Sequence, residues 1–291
     1  MALSFMLCGI MEKENTFNLT LRYYNVVIQP AKFHQPSKYI DLFKKVFSHG
    51  KAIVTGTDKM TKMRSLNVSD DLLMGQLINA STLSTKNWYN LQDDKVVEHA
   101  SDPNLYPNAR EWEFYFMPSC HKMAVVVKRG IAWGQFEKYF DKAFEGACTV
   151  LGYDMVCMNR CTDSQGLEEI FALDSISSIE IEVSYSNNDN NDAFTKAIDD
   201  EFKESNVSLI KTKAIGTSNN PIKLKKEGKS YLSSLVNLSK NNGYTKAKGK
   251  VGRKVKSVNT RDFPKVDILK KLSFNNMVSS IKNAIESLKD D

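Results

Sequence analysis

Apolar residues recur along this chain with two periods, and the two alternate. TFNLTLRYYNVVI (16–28) alternates early, with Phe17, Leu19, Leu21 and Tyr23 on one face, which predicts a first strand. Pro36 and Ser37 open a segment to Phe47 in which Tyr39, Leu42, Phe43, Val46 and Phe47 fall at helical spacing. KAIVTGT (51–57) returns to strand. Arg64 to Ser84 is open between a helix capped by Asp70-Asp71 and an extended GQLINASTL, and 86–110 reads as loop around the aromatic WYN, expected to pin to the body. A hairpin follows, with Trp112, Phe114 and Phe116 alternating before MPSCHK turns into MAVVVK. WGQFEKYFDKAFEGA (133–147) then carries Trp133, Phe136, Tyr139, Phe140, Ala143 and Phe144 on one helical stripe.

The second half repeats the alternation. Strands are expected at Asp154–Arg160 and Ile176–Tyr185, separated by a short helix from Ser164 to about Ala172. A polar connector at 186–192 caps a helix to about Glu204, Val207–Ile215 is a strand, and Ile222–Lys240 is a helix with Leu232, Leu235, Val236 and Leu238 inward. GYTKAKGK, a Val-Gly corner and RKVKSVNT predict a two-stranded ribbon with Ala247, Val251, Val255 and Val258 among its apolar members. A last helix spans Asn275–Lys289. The fold class this predicts is α+β: antiparallel sheets with packed helices, in an acidic body (1–185) and a basic module (186–291) that carries the ribbon.

Charge sharpens that division. Of 291 residues, 40 are Lys or Arg and 34 Asp or Glu. From Lys211 to Leu272 there are 17 Lys/Arg against Glu227, Asp262 and Asp267, a net +14, so the remainder carries 23 bases and 31 acids, a net −8. Such asymmetry points to a polyanionic partner. No apolar run approaches the eighteen or so residues of a membrane helix. MALSFMLCGI lacks a basic leader and reads as no signal peptide, with Met11 as an alternative start. Five scattered cysteines fit a reducing cytoplasm.

The basic segment supplies the candidate site. In the ribbon, Lys246, Lys248 and Lys250 share one face, while Arg253, Lys254 and Lys256 belong to the return. Cations about 6.5–7 Å apart along a strand match the scale of successive phosphates. Lys223, Lys225, Lys226 and Lys229, expected on a helix turn, and Arg261 beyond the ribbon would widen the patch. Tyr244 either stacks on a base or, as the first expectation, packs into the core. Lysines on a solvated edge strand also discourage aggregation, which is the plainer reading of the ribbon. Lysine in excess of arginine favours backbone contact over base reading.

Other chemistry is thinner. Cys157 and Cys161 with Cys120 and His121 have poor zinc spacing and lie on different elements, so no metal is assigned. No HExxH, GxSxG or GxxxxGK[ST] motif is present, and no cofactor is implied. Glu111 with Glu113, or Glu180 with Glu182, would be the carboxylates of a Mg²⁺-dependent nuclease, the rival reading. A third reading is a protein-interaction sensor working through Trp88, Tyr89, Trp112 and Phe114.

The segments TFNLTLRYYNV, WYN, YPNAREWEFYFMPSCHKM, WGQFEKYFDKAF and NLSKNNGYTKAKGK with VNTRDFP resemble an uncharacterised family of bacterial, phage and prophage proteins that includes Gop-like proteins. More loosely, size and the basic C-terminal part are similar to RexA-type phage-exclusion proteins. The resemblance implies a role in phage–host conflict and nucleic-acid contact, DNA ahead of RNA, and it carries over no catalytic residue. The expectation is a non-enzymatic, cytoplasmic nucleic-acid-binding factor acting with a partner protein. A homodimer would double its cationic surface.

Overall fold

The computed structural model of the protein describes residues 16–69, 71–82, 88–90, 92–97, 105–184, 193–225 and 230–289. Its strands are β1 (Phe17–Gln29), β2 (Ile53–Gly56), β3 (Lys59–Ser69), β4 (Leu72–Ser81), β5 (Trp88–Asn90), β6 (Lys95–Val97), β7 (Arg110–Met117), β8 (Lys122–Val126), β9 (Met155–Arg160), β10 (Ser175–Val183), β11 (Ile210–Ile215), β12 (Gly243–Val251), β13 (Lys254–Asn259) and β14 (Val266–Leu272). The helices are α1 (Pro36–His49), α2 (Trp133–Leu151), α3 (Ser164–Phe171), α4 (Ala193–Glu204), α5 (Tyr231–Asn242) and α6 (Met277–Glu286). The α+β expectation holds, and every strand pair is antiparallel.

The larger sheet runs β14-β1-β8-β7-β4-β3-β2, with β9 continuing beside β1 where β14 leaves it. One face is covered by α1 and α2, whose Phe43, Phe136, Phe140 and Phe144 meet Trp112, Phe114 and Phe116 from β7. Phe140 alone touches the rings of Phe43, Phe114, Phe136, Tyr139 and Phe144 at 5.1–6.1 Å between centroids. Gly75 pairs with Phe114 across β4 and β7, and a Cβ there would lie 2.0 Å from the ring, so only hydrogen fits. The opposite face is covered by Ile281, Ile285 and Leu288 at the C-terminal end. β1 lies between these layers, and every residue from Leu21 to Gln29 is buried.

The smaller sheet runs β11-β10-β12-β13. Its inner face packs Ile176, Ile179, Ile181, Val183, Ala247 and Val258 against Ile170 of α3, Ile198 and Phe202 of α4, and Leu235, Val236 and Leu238 of α5. The two sheets join where Asn25 of β1 donates from Nδ2 to Asn242 Oδ1 (2.9 Å) and Thr162 N donates to Lys240 O (2.8 Å). Sheet membership does not follow the expected boundary at residue 185. β10 comes from before it and pairs with β11 and β12, while β14, from after it, pairs with β1.

The segment left open between helix and strand is extended, its apolar residues alternating and pairing β3 with β4 in continuous register but for one bulge. Other expectations need correction. The helix expected from Ile222 starts at Tyr231. Ile222 instead exchanges backbone hydrogen bonds with Ile176, and Ser230 caps the helix by accepting from Ser233 N. Lys223 and Lys225 are therefore exposed on extended chain, not on a helix turn. β14 was not anticipated: Val266 and Ile268 are exposed and Lys270 follows them, so its pattern does not signal a half-buried strand. The WYN strand forms a small ribbon with β6, but the side chains of Trp88 and Tyr89 lie outside the described residues, as do the connector at 186–192 and the first fifteen residues. Trp112 and Phe114 are fully buried and present no sensor surface.

Candidate nucleic-acid interface

The expected ribbon exists, but as half of the four-stranded sheet. β12 is interior, hydrogen-bonded to β10 on one side and β13 on the other. Its alternation is clean: Thr245, Ala247 and Gly249 point inward and are buried, while Lys246, Lys248 and Lys250 point outward and are exposed. The return needs a residue in the left-handed region, which Gly252 supplies at φ 58°. Asp174 fixes the tip by accepting from Gly252 N (2.6 Å) through its carboxylate and donating from its own N–H to Lys250 O (2.9 Å).

Register decides which cations share a surface. On the outer face Lys246 stands beside Glu180 of β10, which stands beside Lys213 of β11; Lys248 neighbours Ser178 and Ser257; Lys250 neighbours Ser175 and Val255. Among the described residues no helix packs on this face, since α3, α4 and α5 all occupy the inner one. Among the described residues Lys213, Lys246, Lys248 and Lys250 form no ion pair, whereas Lys211 is held by Glu182 (3.0 Å). Lys213, Lys246 and Lys248 line a groove of about 430 Å³ over Ser178, Glu180 and Ser257, and Lys248 and Lys250 line a recess of about 180 Å³ against Ser175, Ser177 and Thr217. Ammonium groups and hydroxyls in one open groove can hold phosphate oxygens.

The remaining predicted residues divide. Tyr244 shares the outer face with the lysines instead of entering the core. Its hydroxyl donates to Glu180 (3.0 Å), and the Arg261 guanidinium sits 3.8 Å over its ring. Arg261 belongs to a 3₁₀ turn, Thr260–Asp262, and its carbonyl accepts from Arg160 Nη1 (3.4 Å). Arg253 occupies the hairpin tip. Lys254 and Lys256 alternate with Val255 and so project to the inner side, where Lys256 is bound by Glu169 of α3. Lys223 follows the Ile222–Ile176 bridge at the end of the sheet where Lys250 lies, and Lys225 N donates to Ser233 Oγ (2.9 Å). Lys226 and Lys229 lie outside the described residues. Lys213 was missed, although KTK within IKTKAI carries the same alternation.

Beyond Tyr244 the outer face ends at a cavity of about 460 Å³ between the two sheets. Its walls are Gly134, Glu137, Lys138 and Asp141 on one face of α2, all of β9, Glu182 and Gly243 from the smaller sheet, Leu209 just before β11, and Arg261 of the 3₁₀ turn. Glu137 is saturated. It accepts from Arg160 Nε (2.6 Å) and Nη2 (2.7 Å) and from the Tyr24 hydroxyl (2.9 Å). Asp141, one turn further along α2, forms no hydrogen bond or ion pair, and its carboxyl is pushed up to about 6 by desolvation in the concavity and by the charge of Glu137, against the pull of Arg261. The Cys157 thiol is pushed up to about 12, by burial first and then by Asp141. Glu137 and Asp141 carried no sequence signal, because polar positions on a helix facing a second layer look the same as polar positions facing water.

The carboxylates of the rival reading are engaged separately: Glu111 by Arg64, Glu113 by Lys128 (2.7 Å), Glu182 by Lys211 and Glu180 by Tyr244. Among the described residues no three His, Cys, Asp or Glu side chains come together as a metal site. No helix among them is long and apolar enough to cross a membrane.

Fold and surface thus define an α+β protein with one open, lysine-lined sheet face. The chain belongs to the family described as Domain of unknown function (DUF4747), which it matches over residues 19–288. No curated protein matches it.

Proposed function

We propose that the protein binds nucleic acid through the outer face of the smaller sheet, by sequence-nonspecific contact with the phosphate backbone and without catalysis. The observation that carries this reading is the placement of Lys213, Lys246, Lys248 and Lys250 on one uncovered face with no ion pair among them. Cations retained in ion pairs release few counterions from a polyanion; these four are available to do so. The resemblance to phage, prophage and RexA-type proteins supports a cytoplasmic role in phage exclusion with a partner protein, DNA being the first polyanion to try and a homodimer the way to double the face.

The test is binding across a salt series, on duplex DNA and on single-stranded DNA and RNA. Four neutralised phosphates give a log–log slope of about −3.6 on duplex and about −2.8 on single strands. Lys246/Lys248/Lys250→Glu should weaken binding and flatten the slope toward zero. An unchanged slope in that variant would leave the face a solubility feature and remove the proposal.

A further inference from the structure

The lysine row and the cavity are contiguous. Tyr244 follows Lys246 by one outward step of about 6.5–7 Å along β12, and the next residue, Gly243, lines the cavity. That step is about the reach of one nucleotide in an extended strand. Arg261 joins the two places, its guanidinium over the Tyr244 ring and also in the cavity wall. Aromatic rings and guanidinium planes are the surfaces on which unpaired bases stack. The volume, about 460 Å³, falls in the roughly 300–1,000 Å³ range of pockets that enclose a small organic group. Apolar surface comes from Met155, Val156 and Met158 of β9, which are half-buried.

The polar groups narrow the choice of base. Glu137 and Glu182 are already engaged, by Arg160 with Tyr24 and by Lys211. Asp141 is the carboxyl without a partner in the wall. A carboxylate has acceptors only and pairs best with two adjacent N–H donors. On its pairing edge guanine offers N1–H beside N2–H₂. Adenine, cytosine and thymine or uracil each set an acceptor beside their donor, which a carboxylate repels.

We propose that the cavity receives one unpaired base of a strand lying on the lysine face, and that Asp141 selects guanine there by accepting from N1–H and N2–H₂. This rests on the nucleic-acid reading above and adds to it a single-stranded ligand with one base-selective position.

The test compares fluorescently labelled dT12 with the same oligonucleotide carrying one central guanine, and with versions carrying hypoxanthine or adenine there, by anisotropy at fixed salt. Guanine should tighten binding by about 5- to 150-fold, the span of a well-made bidentate base contact. Hypoxanthine, which lacks the N2 amino group, should keep part of that gain, and adenine none. Asp141→Asn should erase the difference between the guanine and all-thymine oligonucleotides. Lys246/Lys248→Glu should weaken both alike. If dT12 binding is weakened by Lys246/Lys248→Glu and guanine adds nothing, or its gain survives Asp141→Asn, the base pocket is wrong and the backbone reading stands. If no oligonucleotide binds at low salt, both fall.

Discussion

The two sheets solve the same packing problem with different numbers of layers. Around β1, β7 and β8 the larger sheet is covered on both faces, by α1 and α2 on one and by α6 on the other. The smaller is covered on one face, by α3, α4 and α5, and among the described residues nothing covers its other face. A strand buried on both sides loses its alternation, as β1 does from Leu21 onward. One buried on a single side keeps it, as β12 does from Thr245 to Lys250. The first arrangement devotes both faces to stability. The second leaves a face whose side chains are free to meet something else.

Substitutions should expose this contrast. The largest effect belongs to the closed sheet. Phe140→Ala removes a ring that contacts five others, and a buried Phe→Ala change costs about 3–5 kcal/mol, read as a lower denaturation midpoint at unchanged m. If the cost were under about 1 kcal/mol, the aromatic layer would not be the core described here.

A smaller effect belongs to the junction. Asp141 faces Glu137, Lys138, Arg160, Glu182 and Arg261 in the cavity wall, and its carboxyl is raised to about 6. The folded state therefore holds this proton more tightly than the unfolded chain. The stabilisation from that proton is full below the ordinary carboxylate range near 4 and is lost as pH rises through about 6. Asp141→Asn, which cannot ionise, should raise the thermal midpoint at pH 7.5 and leave it unchanged at pH 3.5. Because Asp141 is exposed at the mouth, solvent screening keeps the gain under about 1 kcal/mol. A variant that gains nothing at pH 7.5 would contradict the raised carboxyl.

The smallest effect sharpens the comparison of the two faces of one strand. Lys256 projects to the inner side and pairs with Glu169. Lys256→Ala should cost under about 0.5 kcal/mol, as exposed ion pairs do, and should leave the salt slope of nucleic-acid binding as it was. A slope reduced by nearly one would mean that both sides of β13 meet the polyanion.

Legibility in the sequence followed the same division. The helix from Trp133 and the ribbon from Gly243 were readable because each has one apolar side, and period alone then tells helix from strand. The start of α5 was misjudged because Lys223 to Lys229 is as compatible with a helix as with extended chain; the bridge from Ile222 to Ile176, 46 residues away, decides it. β14 was missed because it is an edge strand with two exposed apolar residues.

What the sequence determined by itself was the local period of each element, the α+β class and the concentration of positive charge after Lys211, since these depend only on neighbours along the chain. Only the tertiary structure decided which lysines share a surface. Strand register put Lys213 of β11 with Lys246 and Lys248 and turned Lys254 and Lys256 away, and the meeting of α2, β9 and the Arg261 turn made a cavity from residues more than a hundred positions apart. Pairing between distant strands fixes these relations, and a strand's own pattern says which side is buried but not which strand lies beside it.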